Sequence, residues 1–251
     1  MMRWNQSSLK LTGAILLGVV AGASPARADF ADDLSRVHLE ATGGREAQAA
    51  LHALRATGVT RINGKEFPFI LYAARPRSIR IETLGDSGTL VRVFDGVHAP
   101  WQKTDLLASP ARLSAASEAD FVMEAEFDDL LYEFRSRGIE LEDAGRTEGE
   151  VRPCLRLLAT VRLTASYTLY LDEETLLVVR RDQRKVVRGR MAVVETYYSD
   201  FRPVAGVLQP FRIRVQSGER LITETEITEM VANPEVPPGF FSPPVSGWPK
   251  W

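Results

Sequence analysis

The chain has 251 residues, 45% of them hydrophobic, with 31 Lys and Arg against 33 Asp and Glu and a single cysteine. That balance excludes the strongly basic surface by which nucleic acid is held. One thiol excludes an internal disulfide framework, so stability must come from core burial, and Cys154 reads as a small buried residue of a strand.

The N-terminus reads as an export signal. Arg3 and Lys10 precede the apolar run Leu11 to Ala23, and Ala26-Arg27-Ala28 offers a small-residue cleavage site. The run is broken by Gly13, Gly18 and Gly22 and is short of the ~20 apolar residues that spanning a bilayer requires. The expectation is Sec-type export to the periplasm with cleavage after Ala28. Residues 29–251 are then a single domain with no transmembrane span. The leader takes three basic residues and no acidic one, which leaves a formal charge of −5.

Phe30, Leu34, Val37 and Ala41 recur at helical spacing, and Gly43-Gly44 supplies a stop. After a short turn at 45–50 come four strands, Leu54–Ile62, Glu66–Ala74, Ser78–Leu84 and Thr89–Phe94. Asn63-Gly64 and Asp86-Ser87-Gly88 are their hairpin turns. The strand signal then lapses from Ser109 to Gly138. Met123, Phe127, Leu130, Leu131 and Phe134 there fall on one helical face among acidic residues, which predicts an amphipathic helix over Asp120–Phe134.

A meander follows: Ile139–Asp143, Cys154–Leu163, Tyr167–Leu171, Leu176–Arg181, Met191–Tyr198, Leu208–Gln216 and Leu221–Val231. Its period is clearest where Leu155, Leu157, Ala159, Val161 and Leu163 alternate with Arg156, Thr160 and Arg162, one face dry and the other wet. A Pro-rich strap from Pro234 is anchored only by Phe240-Phe241. The fold class is mainly β (α+β), an antiparallel meander with a helical insertion.

The candidate motifs for chemistry are few. Gly85-Asp86-Ser87-Gly88 matches a serine nucleophile motif, but His38, His52 and His98 lack the context of a catalytic base, and a polar hairpin tip accounts for the run. No His, Cys, Asp or Glu cluster has metal-ligand spacing and there is no phosphate-cradling loop, so no catalytic residue, metal or cofactor is expected. Arg180, Arg181, Arg184, Lys185, Arg188 and Arg190 crowd one hairpin. They read either as a solvated loop that resists edge pairing or as a dock for anionic headgroups or an acidic partner.

Several short runs, in order, resemble the LolA-like periplasmic proteins, also called outer-membrane lipoprotein-sorting proteins, and their LolB and RseB relatives. They are His38-Leu39-Glu40-Ala41-Thr42-Gly43-Gly44, Arg75-Pro76-Arg77, Phe94-Asp95-Gly96, Tyr170-Leu171-Asp172, Tyr198 to Val204, and Asn233 with Phe241 and Pro243-Pro244. The resemblance implies a half-open antiparallel β-barrel with a helical lid. Its concave face would carry the acyl chains of a lipoprotein or free lipid towards the outer membrane, with an inner- or outer-membrane protein as partner.

The expected cavity lining is Phe67, Phe69, Leu71, Ile79, Ile81, Leu155, Leu157, Val161, Phe211, Ile213 and Val215, under a lid bearing Phe127, Leu130, Leu131 and Phe134. An RseB-like sensor and an esterase built on Ser87 are the alternative readings.

Overall fold

The computed structural model describes residues 25–107, 109–148, 152–161, 165–187 and 189–250; the expected leader up to Ser24, and Arg188, lie outside the described residues. Two helices, α1 (Pro25–Ala41) and α2 (Gly44–Ala50), precede β1 (Ala53–Ile62), β2 (Lys65–Ala74), β3 (Ser78–Gly85), β4 (Gly88–Phe94), β5 (Trp101–Thr104) and β6 (Ala111–Arg112). Helix α3 (Ala115–Glu124) then leads to β7 (Ile139–Thr147), β8 (Cys154–Val161), β9 (Ala165–Asp172), β10 (Val178–Val187), β11 (Arg190–Val204), β12 (Val207–Ser217) and β13 (Arg220–Ala232).

The thirteen described strands form one antiparallel sheet in the order β6-β5-β4-β3-β2-β1-β13-β12-β11-β10-β9-β8-β7. The chain therefore meanders from the centre to one edge, crosses to the opposite edge, and meanders back until β13 pairs with β1. The edge strands β6 and β7 are not paired with each other, so the barrel stays half open. The crossing, residues 113–138, closes the concave face as a consequence of this topology.

Sequence alternation decides which side chains meet there. Leu157 and Ala159 on β8 and Leu169 and Leu171 on β9 are buried on the covered face with Tyr167, against Ala31 and Leu34 of α1 and Leu130, Leu131 and Phe134 of the crossing. A second cluster joins Phe121, Val122 and Ala125 of the α3 region to Ala56, Phe69, Ile79, Ile81, Phe211 and Ile227. Each such large apolar side chain taken from water contributes roughly 1.5–3 kcal/mol, which is what holds a helix and a turn segment against the sheet.

Strand β1 bends at Gly58, where the register with β13 shifts and an added Cβ would meet the Glu226 carbonyl and the Phe69 ring.

Several expectations need correction, and β5 and β6 form where no strand was expected. The predicted helix at Asp120–Phe134 is instead α3, which starts earlier, with Ser114 accepting from the Ser117 N–H as N-cap, and stops at Glu124. Beyond it the chain folds as turns, because Asp129 Oδ1 accepts from the Leu131 and Tyr132 N–H groups and so offers the backbone an alternative to helix. The expected turn at 45–50 is helix α2 with Gln48 buried. The basic hairpin is not a loop, since β10 runs on as strand to Val187.

The strap has a second anchor besides Phe240-Phe241. Trp248 Nε1 donates to Ala99 O at 2.8 Å, and Ala99 N donates to Pro249 O at 2.7 Å. Phe240 stacks edge-on against Tyr72 at 4.8 Å and lies under the Arg80 guanidinium. On β2, Phe69 packs in the cluster with Phe121 of α3 and Tyr72 is covered by the strap, while Ile70 stays exposed.

Candidate functional site

A cavity of about 240 Å³ lies where the crossing segment meets the bottom of the sheet. Its roof is Met123, Phe127, Leu130 and Leu131, and its floor includes Leu169, Val178, Tyr198, Phe201 and Leu208. The rear wall is the end of α1 and α2, with His38, Thr42, Gln48 and Leu51. That wall is fixed by a close backbone approach. Gly43 has φ 124° and sits against the Gly206 carbonyl, where any Cβ would collide, and Leu208 N donates to Thr42 O at 2.9 Å.

The roof is latched by polar contacts. Arg75 grips Asp128 through two donors, at 3.0 Å from Nε and 2.6 Å from Nη2, and lies between the Phe127 and Tyr132 rings at 5.3 and 5.1 Å. Arg77 and Arg137 both reach Glu126, at 3.4 and 3.3 Å, and Arg137 also donates to the Asp129 and Tyr132 carbonyls. From α1, Ser35 Oγ donates to Leu131 O at 2.8 Å.

His38 is the deepest of these groups. Its ring Nδ1 lies 2.7 Å from Leu176 O and its Nε2 lies 3.4 Å from Asp129 Oδ2. Both neighbours are acceptors, so the arrangement suits the imidazolium, which donates from both nitrogens. Burial opposes that charge, but the Asp129 carboxylate and the Leu176 carbonyl outweigh it, and the His38 pKa is raised. For Asp129, burial likewise opposes ionisation. The His38 charge and the two backbone N–H donors win, and the carboxyl is held at about 2.

The residues expected to line the site divide. Phe127, Leu130 and Leu131 do line the cavity, and Phe134 is packed in the adjoining cluster. Of the sheet residues, Phe69, Ile79, Ile81, Leu157, Val161 and Phe211 are buried in the two clusters that flank the cavity, and Leu71, Leu155 and Ile213 pack against them. Phe67 and Val215 are half-buried. None of the eleven lines this cavity.

The basic residues do not form one patch. Arg181 faces the cavity and stacks over Tyr167 at 5.3 Å, and Lys185 reaches Asp120 of α3 at 2.9 Å. Arg180 points to the opposite face, bound by Asp182 and Glu195, while Arg184 and Arg190 are exposed. Sequence reasoning passed over His38, Asp129, Thr42 and Gln48 as site residues. The available signal was a histidine one turn before the helix stop, facing the same way as Leu34.

No protein-family profile and no curated protein matches the sequence. Among solved structures, the chain superposes on a putative outer membrane lipoprotein-sorting protein domain from Vibrio parahaemolyticus with a TM-score of 0.61 at 8% identity, over 86% of this chain and 97% of that one. It is similar to a LolA superfamily protein from Nitrosomonas europaea, with a TM-score of 0.58 at 12% identity over 83% and 97% of the two chains. The chain has the LolA-like fold. A DUF1329 family protein from Desulfovibrio piger shares it, with a TM-score of 0.58, 12% identity, and 85% and 96% coverage. In this LolA-like chain the half-open barrel is the thirteen-stranded sheet, and its cover is α3 with the latched turns. Among the described residues no helix is long and apolar enough to cross a membrane.

Proposed function

We propose that the protein is a periplasmic carrier that takes acyl chains of a lipoprotein or lipid under the latched segment for transfer towards the outer membrane. The observation that carries this reading is an apolar-roofed cavity closed by polar contacts rather than by core packing alone. The lipoprotein-sorting description of a structural neighbour supports it.

At about 240 Å³ the closed cavity is smaller than the ~300–1,000 Å³ of ordinary ligand sites, so a full acyl chain enters only when residues 125–138 lift. Burying about fourteen methylenes is worth roughly 11 kcal/mol gross at ~0.8 kcal/mol each. Breaking the latch and ordering the chain offset much of that gain, which lets cargo leave again. Arg181 and His38 at the cavity wall supply positive charge for the carbonyl or phosphate end of the cargo.

The test is binding of a fluorescent fatty acid by lipid-stripped protein. Phe127→Glu puts a carboxylate in the roof and is expected to weaken binding at least tenfold while circular dichroism stays unchanged. Folded wild-type protein that shows no saturable binding of an acyl probe would sink the carrier reading.

A further inference from the structure

The outer face of the sheet carries a row of side chains that the carrier reading does not use. Arg156 on β8 is directly opposite Tyr170 on β9, Tyr170 opposite Arg180 on β10, Arg180 opposite Tyr197 on β11, and Tyr197 opposite Arg214 on β12. Directly opposed residues share a face, so the row runs straight across five strands. It is stacked throughout its middle. The Arg180 guanidinium lies 4.8 Å from the Tyr170 ring and 5.1 Å from Tyr197, and Arg214 lies 4.8 Å from Tyr197 on its other side. The row forms the floor of a groove of about 820 Å³, to which Arg212 also contributes.

The charges are uneven in a way that points outward. Arg180 is held by Asp182 and Glu195. Arg156 forms no ion pair among the described residues and its Nε is buried without an acceptor, while Arg212 is near the Asp200 carboxylate and Arg214 is directly opposite Glu224 without closing to an ion pair. Two acids of the groove are already engaged, since Asp172 accepts from the Thr175 hydroxyl and N–H and Asp200 is bound by Arg202, while Glu224 is 4.0 Å from Arg61. The groove is therefore a positive, acceptor-seeking surface on a chain with a formal excess of acidic residues.

We propose that this groove is a docking site for an acidic segment of a partner protein. Arginine and tyrosine without lysine is the composition of interface hot spots, and stacking on a rigid sheet fixes these side chains before binding, so little entropy is lost on docking. Arg156 and Arg214 are four strand spacings apart, roughly 19 Å, a span that suits an extended segment with several carboxylates rather than one small anion. A lipid surface is disfavoured because the exposed large apolar side chains that would insert into it, such as Met191, Val186 and Leu221, lie outside this groove.

The arginine–tyrosine row is on the opposite face from the cavity, although the groove shares Leu177, Tyr198 and Phe201 with it, and the site is tested without acyl ligand. A fluorescein-labelled octaglutamate peptide should bind saturably in fluorescence anisotropy, weaken with added salt, and weaken at least tenfold in the double variant R156Q/R214Q. The Arg156→Lys change, which keeps charge but not the planar fork, should lie between the two. R184Q/R190Q, which removes exposed charge elsewhere on the same hairpin, should bind as wild type. Circular dichroism establishes that each variant is folded. Absence of saturable binding, equal binding by folded R156Q/R214Q, or preferential binding of phosphatidylglycerol vesicles through the same arginines would each overturn the proposal.

Discussion

Several of the side chains that carry the resemblance to LolA-like proteins prove to be fasteners of turns. Asp95 Oδ1 accepts from the Val97 and His98 N–H groups, and Asp172 Oδ1 accepts from Glu174 and Thr175 in the turn that presents Leu176 O to His38. Asn233 accepts from His52 and Ala53 and donates to Ala50 O, tying the end of β13 to the start of β1. Gly43 is the least replaceable of this set. Gly43→Ala is expected to lower the unfolding free energy in denaturant titration by more than about 2 kcal/mol, since positive φ and collision with Gly206 both oppose a side chain.

His38 gives the latch a pH dependence at the same scale. Its raised pKa means that its contribution is fully present below the unfolded value near 6.5 and is lost as pH rises through the higher folded value. Asp129, held at about 2, contributes above its ordinary 3.8 and loses that contribution only as pH falls towards 2. Arg181 and Glu126 line the same cavity. Amide exchange in residues 126–138 should therefore be faster at mildly alkaline pH than near pH 6, after correction for intrinsic rates. In His38→Gln that difference should disappear.

At the scale of elements, the cover shows where a periodic pattern misleads. Met123, Phe127, Leu130, Leu131 and Phe134 satisfy a helical period, yet only Met123 lies in α3. The other four reach the concave face from turns, with Glu133 at φ 47° and Gly138 at φ 67°. What competes with the helix is long-range: Arg75 and Arg77, from the β2–β3 turn, take Asp128 and Glu126 as partners. Arg75→Gln is expected to remove about 2 kcal/mol, because the half-buried Asp128 loses its charged donors, and to expose residues 126–137 to limited proteolysis before global unfolding. Proteolysis indistinguishable from wild type would remove the latch from the mechanism.

At the scale of the molecule, the two buried clusters sit on one sheet whose halves are stitched by β1 pairing with β13. Leu157 is fully buried in one cluster and Phe211 is nearly so in the other. Leu157→Ala and Phe211→Ala should each cost about 2–5 kcal/mol and move one shared transition, followed identically by far-ultraviolet circular dichroism and by tryptophan fluorescence. Separate transitions would mean that the halves fold as distinct units, against the expectation of a single domain.

Local chemistry by itself indicated eleven of the thirteen described strands, all but the short β5 and β6 at one edge, and the inward faces of the strongly alternating ones. Alternation of apolar and polar residues is a property of neighbours, and Asn63-Gly64 or Asp86-Ser87-Gly88 specify hairpins without reference to anything distant. Thus Leu155, Leu157 and Val161, or Ile79 and Ile81, could be assigned to the covered face from their flanking arginines and threonines. Tertiary structure alone decided the cavity. Its wall brings His38, Gln48, Asp129, Arg181 and Leu208 together from five separate segments, and its roof is shaped by ion pairs such as Arg75 with Asp128. The outer row from Arg156 to Arg214 is equally non-local, because cross-strand register, set by the whole meander, is what places each arginine beside its tyrosine.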